Sequence, residues 1–356
     1  MWPYWLLFIV PAYWSISRLK PRSQTALLAR GDRWPFVWKS IFVFLVLIIG
    51  WRHEVGGDWF NYMSNMDNFD RVTGFNDPSN ELLFWLGINF GGGIYLVNLI
   101  SAALFSWGLL VFCRSQPRPW LALTVAVPYL ITVVSMGYTR QSVAIGFVMM
   151  AIVALGRGSA LKFVLWVAFA ATFHKSAVVL APLAALANTK RRIFTLLWVG
   201  ISAFVLFALL LRESLDSLMS GYIDAEYESS GAAIRVAMNA VPAILFLFFR
   251  KHFVLTAEQR SFWTWVALSA LLLVVALKFS PSSTAVDRVA LYWIPLQLFV
   301  FSHLPDILGR RSAKNALWVS LIIAYSATVL FVWLFYGVHS NYWLPYQWYP
   351  WVWLFQ

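Results

Sequence analysis

The chain has 356 residues, of which 61% are hydrophobic and only 12% are charged, and its formal net charge at pH 7 is +12. Soluble domains carry roughly 25% charged residues, so this composition excludes an ordinary soluble domain. The single cysteine, Cys113, excludes an internal disulfide and disfavours a cysteine-ligated metal site. The positive charge fits basic loops at a membrane surface better than a nucleic-acid partner.

Twelve apolar segments are predicted to cross a membrane as helices, because each approaches the length that spans ~30 Å of hydrocarbon. The first of them lacks a basic start and a small-residue cleavage site, so we interpret it as a retained helix and not as a signal peptide. The stretch Glu81–Phe90 is apolar but too short to cross, which predicts a re-entrant or interfacial helix. The predicted spans lie near residues 2–16, 35–51, 93–112, 119–137, 141–156, 160–174, 176–188, 193–211, 233–249, 261–279, 288–304 and 315–336.

The loops between these spans differ in charge. If the loop after the first span is cytoplasmic, 19 of the 27 Lys and Arg residues are cytoplasmic and 12 of the 15 acidic residues lie opposite. This is the asymmetry that membrane proteins show, so both termini and the loops near 52–80, 212–231 and 278–287 are predicted to face outward. We therefore predict an all-α polytopic integral membrane protein of about 12 helices. It forms one domain, residues 1–356, and is compatible with a GT-C-type glycosyltransferase fold.

Three arginines stand at helix ends on the predicted outer face: Arg140, Arg235 and Arg288. A charge near membrane depth costs a few kcal/mol and normally faces a wet cavity, although such an arginine can also reach up to the lipid interface. The tight hairpin around Arg140 favours a functional role. Guanidinium groups bind phosphate oxygens bidentately, so these three arginines are predicted to bind a pyrophosphate.

Three side chains on the same face are candidates for a general base. Asp58 follows the Gly56-Gly57 pair, which predicts a turn, and it can also serve as a helix cap. Glu81 is favourable at a helix N-terminus for electrostatic reasons alone, and a lone histidine such as His174 is often structural. Each can take a proton from a hydroxyl; Asp58 ranks first, and Glu81 and His174 stay open.

In chain order these residues resemble the EpsG family of Wzy-type polysaccharide polymerases. The resemblance implies a bacterial inner-membrane enzyme that joins repeat units carried on undecaprenyl pyrophosphate into exopolysaccharide, capsule or O-antigen. It also implies work beside a flippase and a chain-length regulator, with no nucleotide sugar. The matching pieces are Arg52-x5-Asp58-x3-Tyr62, the Glu81 region, Arg140-Gln141, Phe173-His174-x-Ser176, Asp287-Arg288-x3-Tyr292 and an aromatic C-terminus that includes Tyr346.

The predicted reaction moves the growing glycan to a hydroxyl of the incoming lipid-linked repeat. The base takes the hydroxyl proton and the three arginines neutralise the departing pyrophosphate, so no metal or other cofactor is expected. The residues predicted to position substrate are Arg52, Tyr62, Gln141, Tyr292 and Tyr346. A lipid-linked glycan flippase, an O-antigen ligase and a membrane O-acyltransferase centred on His174 remain alternatives. Charges grouped towards one end, without a visible repeat, favour an enzyme over a transporter.

Overall fold

The computed structural model describes residues 1–22, 34–69, 77–183, 201, 231–280, 282–310 and 313–355. Their ordered elements are helical apart from one two-residue strand pair. The helices are α1 (Trp2–Ser17), α2 (Phe36–Gly50), α3 (Trp59–Asp67), α4 (Pro78–Asn89), α5 (Gly93–Arg114), α6 (Pro119–Ala126), α7 (Thr139–Gly156), α8 (Ala160–Phe173), α9 (Ala232–Phe249), α10 (Ala257–Phe279), α11 (Ser283–Ala290), α12 (Ile294–Leu308), α13 (Ala316–Tyr336) and α14 (Tyr349–Phe355). A π-helix (Val127–Ser135) continues α6, and 3-10 turns cover Lys175–Leu180, Leu291–Trp293 and Ser340–Tyr342. The strands are β1 (Arg52–His53) and β2 (Gln347–Trp348).

Six helical segments of the described chain are long and apolar enough to cross a membrane: Gly93–Arg114, Thr139–Gly156, Ala232–Phe249, Ala257–Phe279, Ser283–Leu308 and Ala316–Tyr336. Three shorter apolar helices accompany them, Phe36–Gly50, Pro119–Ser135 and Ala160–Phe173. The prediction of an all-α, membrane-embedded protein is therefore confirmed.

The number of 12 spans stays a prediction. The span near 193–211 lies outside the described residues apart from residue 201, as do residues 184–188 of the span near 176–188. The described part of that second span begins as a 3-10 turn, Lys175–Leu180. The outer loop predicted near 212–231 is also outside them, except for Gly231. The short apolar stretch after residue 80 is confirmed as part of a 12-residue helix, α4.

Hydroxyl side chains fix where several helices begin. Thr256 and Gln259 form a reciprocal capping box at the start of α10, in which each side chain binds the backbone N–H of the other residue. Ser159 and Ser282 each accept a hydrogen bond from a backbone N–H in the first turn of α8 and α11. Such caps satisfy donors that a helix start leaves without an intrahelical partner.

Helices α5 and α7 pack with their backbones almost in contact. A Cβ atom on Gly108 would lie 2.1 Å from the carbonyl oxygen of Gly146, so a side chain does not fit at this crossing. Small residues let membrane helices approach this closely, where packing and not water provides the attraction. The crossing holds α7 in place, and the first turn of α7 carries Thr139 and Arg140.

The aromatic C-terminus is only partly a surface feature. Trp343 is 2% exposed, its indole N–H donates to the carbonyl of Thr132 at 2.7 Å, and its own carbonyl accepts from the Tyr4 hydroxyl at 2.7 Å. Farther on, β2 pairs antiparallel with β1, so the tail is bound to the loop after α2. The last turn is exposed, with Trp351 at 63% and Trp353 at 69%.

The π-helix delivers the chain from α6 to the beginning of α7. Its residues Val127–Ser135 are all buried, and Tyr138 follows it as the residue that precedes α7. Short π-helical stretches in membrane and soluble proteins often occur at functional sites. Here the π-helix ends next to the polar residues described below.

Candidate functional site

The polar residues predicted from the sequence converge at one end of the helix bundle, the site end. They are contributed by the loop after α2, the first residues of α4, α7 and α9, the turn after α8, and the segment Ser283–Trp293. The opposite end carries most of the described basic residues and is called the basic end. Its cations include Arg114, Arg118, Arg157, Arg250, Lys251, Arg260, Arg310 and Lys314.

Arg52 is buried beneath the site end and bound on every side by the protein. Its guanidinium donates to the carbonyls of Val55 and Ile49 at 3.0 and 2.7 Å. It also donates to Asn98 Oδ1 at 2.9 Å and Thr139 Oγ1 at 2.8 Å. Burial lowers the pKa of Arg52 to about 10, so it is a cation at neutral pH. Four of its five N–H donors are thus used to tie the loop after α2 to α5 and α7.

Asp58 lies where that loop meets the start of α7. Its Oδ2 accepts a hydrogen bond from the backbone N–H of Thr139 at 3.2 Å. Burial raises the pKa of the Asp58 carboxyl, and the positive charges of Arg288, Arg140 and Arg52 oppose that rise. The predicted glycine turn is confirmed just before it, since Gly56 has a φ of 102°. The Asp58 carboxyl group is therefore shielded from water and lies within the electrostatic reach of three arginines.

Arg140 is held by an aspartate that the sequence analysis did not single out. Its Nη1 lies 2.9 Å from Oδ2 of Asp77, with the Arg140 side chain 40% exposed and the Asp77 side chain 9% exposed. The backbone N–H of Arg140 donates to the Tyr62 hydroxyl at 3.2 Å, and the guanidinium lies 6.0 Å from the Tyr62 ring centre. The signal for Asp77 was its place directly before Pro78, which is typical of a helix start.

Arg235 and Arg288 differ in their partners. Arg235 makes a bidentate ion pair with Asp287, with Nε and Nη2 at 2.7 and 2.8 Å from the two carboxylate oxygens. Arg288 instead lies over the ring of Tyr138, with its guanidinium carbon 4.1 Å from the ring centre. Within the described part of the chain, no carboxylate forms an ion pair with Arg288.

Gln141 joins α7, which carries Arg140, to α11, which carries Arg288. Its side chain is 1% exposed and its Nε2 donates to the backbone carbonyl of Arg288. This bond fixes the start of α7, with Arg140, against α11, with Arg288. The two guanidinium groups are thereby placed on the same face, and both act on the Asp58 carboxyl electrostatically.

His174 forms a small hydrogen-bonded group with two hydroxyls. Its Nδ1 lies 2.6 Å from Ser176 Oγ and 3.2 Å from the Tyr292 hydroxyl, and Ser176 donates to Tyr292 at 3.2 Å. When Ser176 donates to Tyr292, its oxygen accepts from Nδ1–H, which leaves Nε2 of the imidazole as the proton acceptor. The tautomer is inferred from this geometry. Ser176 was recognised from the sequence only as part of the family motif.

Two of the predicted site residues, Glu81 and Tyr346, have other partners in the described part of the chain. Glu81 lies one turn into α4, where burial raises the pKa of its carboxyl and Lys175 opposes the rise. Tyr346 lies under the loop after α2, and its hydroxyl donates to the carbonyl of Ile48 at 2.6 Å. Glu81 thus faces Lys175, and Tyr346 binds backbone.

The described residues contain no group of three or more His, Cys, Asp or Glu side chains that could hold a metal ion. The charged groups at the site end include arginine side chains and the carboxylates that some of them contact. Arginines in a partly buried site stabilise developing negative charge on phosphate oxygens without a metal.

The fold and site define a helical membrane protein with an arginine-rich polar site at one end. A model of the EpsG family matches residues 36–348, and this chain belongs to that family of Wzy-type polymerases. No curated protein and no solved structure matches it, so the relationship to GT-C-type folds stays a prediction. The family supports a role of the polysaccharide-polymerase type.

Proposed function

We propose that the protein polymerises oligosaccharide repeat units carried on undecaprenyl pyrophosphate. In this reaction the bond between the anomeric carbon of the growing chain and its pyrophosphate breaks. A new glycosidic bond forms to a hydroxyl of the incoming lipid-linked repeat. The hydroxyl proton goes to a base on the protein, and the pyrophosphate leaves with the bonding electron pair. Family membership and the arginines around Asp58 support this proposal.

The observation that carries the proposal concerns the partners of Arg288. Its guanidinium is stacked on Tyr138 without a carboxylate partner in the described part of the chain. Arg140, on the same face, is partly exposed. A leaving pyrophosphate needs positive charge that is already in position when negative charge develops. In the proposal Arg288 and Arg140 supply it.

Arg235 and Arg52 have supporting parts in the proposal. Asp287 occupies two of the donor groups of Arg235, and the pair is 12% and 7% exposed at its two side chains. Arg235 therefore contributes positive charge while its bond to Asp287 holds α11 against α9. The hydrogen bonds of Arg52 support the loop that carries Asp58, and Tyr346 supports α2 beside it.

Asp58 is the proposed base. It accepts a hydrogen bond from the backbone N–H of Thr139, the charges of both arginines of the leaving-group site act on it, and burial favours its taking up a proton. His174 is the second candidate, because the Ser176 and Tyr292 hydroxyls orient its ring. Glu81 is less favoured, since Lys175 is the charged group that acts on it.

The proposed setting is the bacterial inner membrane with the site end facing the periplasm. The Lys and Arg asymmetry supports this orientation, since the basic end would then face the cytoplasm. The partners follow from the reaction: a flippase supplies lipid-linked repeats at that face, and a chain-length regulator acts on the product. The products proposed are exopolysaccharide, capsule or O-antigen chains.

A ladder assay tests the proposal. Purified protein in proteoliposomes is given an undecaprenyl-pyrophosphate-linked repeat unit, and the products are separated by size. We expect a ladder of longer lipid-linked glycans from the wild type. Arg288→Lys and Arg140→Lys keep the charge but lose the planar fork, so both should shorten the ladder and lower its yield at least about tenfold.

Arg18→Lys is the matched control, because Arg18 also lies over an aromatic ring, that of Trp14 at 4.7 Å, but follows the last residue of α1, away from the site. This variant should give the wild-type ladder. Normal ladders from both site variants would refute the leaving-group assignment. A wild-type protein that moves the substrate across the bilayer and forms no bond would instead identify a transporter.

A further inference from the structure

A cavity of about 360 Å³ opens at the basic end, away from the candidate site. It lies where the ends of α5, α7 and α12 meet the beginning of α10. None of the residues assigned to the proposed reaction lines it. Its volume falls within the roughly 300–1,000 Å³ of typical small-molecule sites.

Among the described residues, the charged lining of this cavity consists of one cation and one anion. Arg157 follows the last residue of α7, and Glu258 is in the first turn of α10. The two helix ends are tied together between these residues, because Gln259 Nε2 donates to the carbonyl of Gly156 at 3.2 Å. Neither Arg157 nor Glu258 has an ion-pair partner among the described residues.

The deeper walls of the cavity are apolar and aromatic. They include Ile152 from α7, Phe262 and Trp263 from α10, and Phe299 from α12. Trp263 and Phe299 are buried and stack with ring centres 4.0 Å apart. A ligand that suits the site therefore has paired opposite charges at the mouth and a hydrocarbon part that enters the interior.

We propose that this cavity binds a zwitterionic phospholipid whose headgroup ends in a primary ammonium. Arg157 binds the phosphate through charge-assisted hydrogen bonds, and Glu258 accepts hydrogen bonds from the ammonium. An anionic headgroup also has a phosphate for Arg157, but it has no ammonium for Glu258 and leaves that carboxylate beside a headgroup of net negative charge, which disfavours it. A choline headgroup has the right charge but no N–H donor for Glu258. Basic pockets between membrane helices bind anionic lipids, and the added carboxylate changes that preference here.

Native mass spectrometry of the full-length protein, stripped of lipid in detergent, tests the proposal. The probes are dioleoyl phosphatidylethanolamine, phosphatidylcholine and phosphatidylglycerol. We expect one high-affinity site that favours phosphatidylethanolamine over the other two. Glu258→Gln should weaken phosphatidylethanolamine binding at least about tenfold and abolish the preference, since it removes a charged hydrogen-bond acceptor. Arg157→Gln should weaken the binding of all three lipids.

Two further variants keep the result specific to the cavity. Lys251→Gln removes a cation that is at the same end of the bundle but outside the cavity lining, so it should leave binding unchanged. Ile152→Trp fills the interior with both charges intact and should weaken binding.

Three results would overturn the proposal. They are equal binding of phosphatidylglycerol by the wild type, an unchanged preference in Glu258→Gln, or equal losses in Lys251→Gln and Arg157→Gln. None of these readouts depends on polymerase activity.

Discussion

Replacing Arg52 tests whether this arginine stabilises the fold or binds substrate. Arg52→Ala leaves four acceptors without their donor: two carbonyls, Asn98 Oδ1 and Thr139 Oγ1. A buried acceptor that loses its partner costs roughly 1 kcal/mol at the lower end of measured values, so the four together cost about 4 kcal/mol. That is most of the stability of a marginal protein. We therefore expect Arg52→Ala to fail to accumulate as a folded, monodisperse protein in detergent.

Arg52→Lys is the informative companion variant. An ammonium has three donors and lacks the planar fork, so it can satisfy only some of the four acceptors. We expect a lowered melting temperature, measured by fluorescence-detected size-exclusion chromatography after heating, with a normal product ladder from the protein that remains folded. Arg18→Ala, at an exposed position, should melt like the wild type. If Arg52→Ala melts normally and makes no product, the structural account is wrong and Arg52 contacts substrate.

Three more predictions concern the site end. Gly56→Ala should destabilise the protein by more than about 2 kcal/mol, because φ is 102° and a Cβ would lie 1.8 Å from the Met136 carbonyl oxygen; an unchanged melting temperature would contradict this. Burial raises the pKa of Asp58 and the base must be ionised, so polymerase activity should fall as pH decreases through a value above the usual ~4. Asp58→Asn should have residual activity without that dependence, and an unchanged pH profile would exclude Asp58 as the base. Asp287→Asn should cost about 3–5 kcal/mol because it removes the negative charge from a nearly buried ion pair, and Asp287→Leu combined with Arg235→Met should restore stability; thermal melting of the single and double variants measures both.

The helices were predictable because hydrophobic length dominates their formation. The boundaries expected near 93–112 and 315–336 agree with Gly93–Arg114 and Ala316–Tyr336 to within two residues. The predicted beginning of the span near 288–304, at its outward-facing end, was less accurate. There the helix is interrupted by a 3-10 turn at Leu291–Trp293 and preceded by the polar helix α11. Hydropathy averaged over a window of residues does not detect such a break. The polar residues of α11 find their hydrogen-bond partners on neighbouring helices, and these partners are not visible in the local sequence.

The pairing of charges was not predictable from the sequence. Asp77 and Arg140 are far apart in the chain, and only the tertiary fold brings them to 2.9 Å. Asp287 pairs with Arg235, and that contact depends on how α9 lies against α11. Helix faces can be read from periodicity, whereas the rotation of one helix against another is set by tertiary contacts.

The difference between the two ion pairs has a consequence for the proposed reaction. Displacing Asp287 from Arg235 would break a bidentate pair in which both partners are nearly buried, and separating two charges that stay buried is costly. Displacing Asp77 from Arg140 breaks a single contact whose arginine side chain is 40% exposed, which solvent already weakens. The Asp77 side chain is only 9% exposed, but a backbone hydrogen bond and the charge of Lys175 act on it as well. In the proposed reaction an incoming pyrophosphate therefore takes the place of Asp77 at Arg140, while Arg288, over Tyr138, binds its other oxygens. When the product leaves, Asp77 can return to Arg140, so the same carboxylate that keeps the empty site in shape also competes the pyrophosphate away.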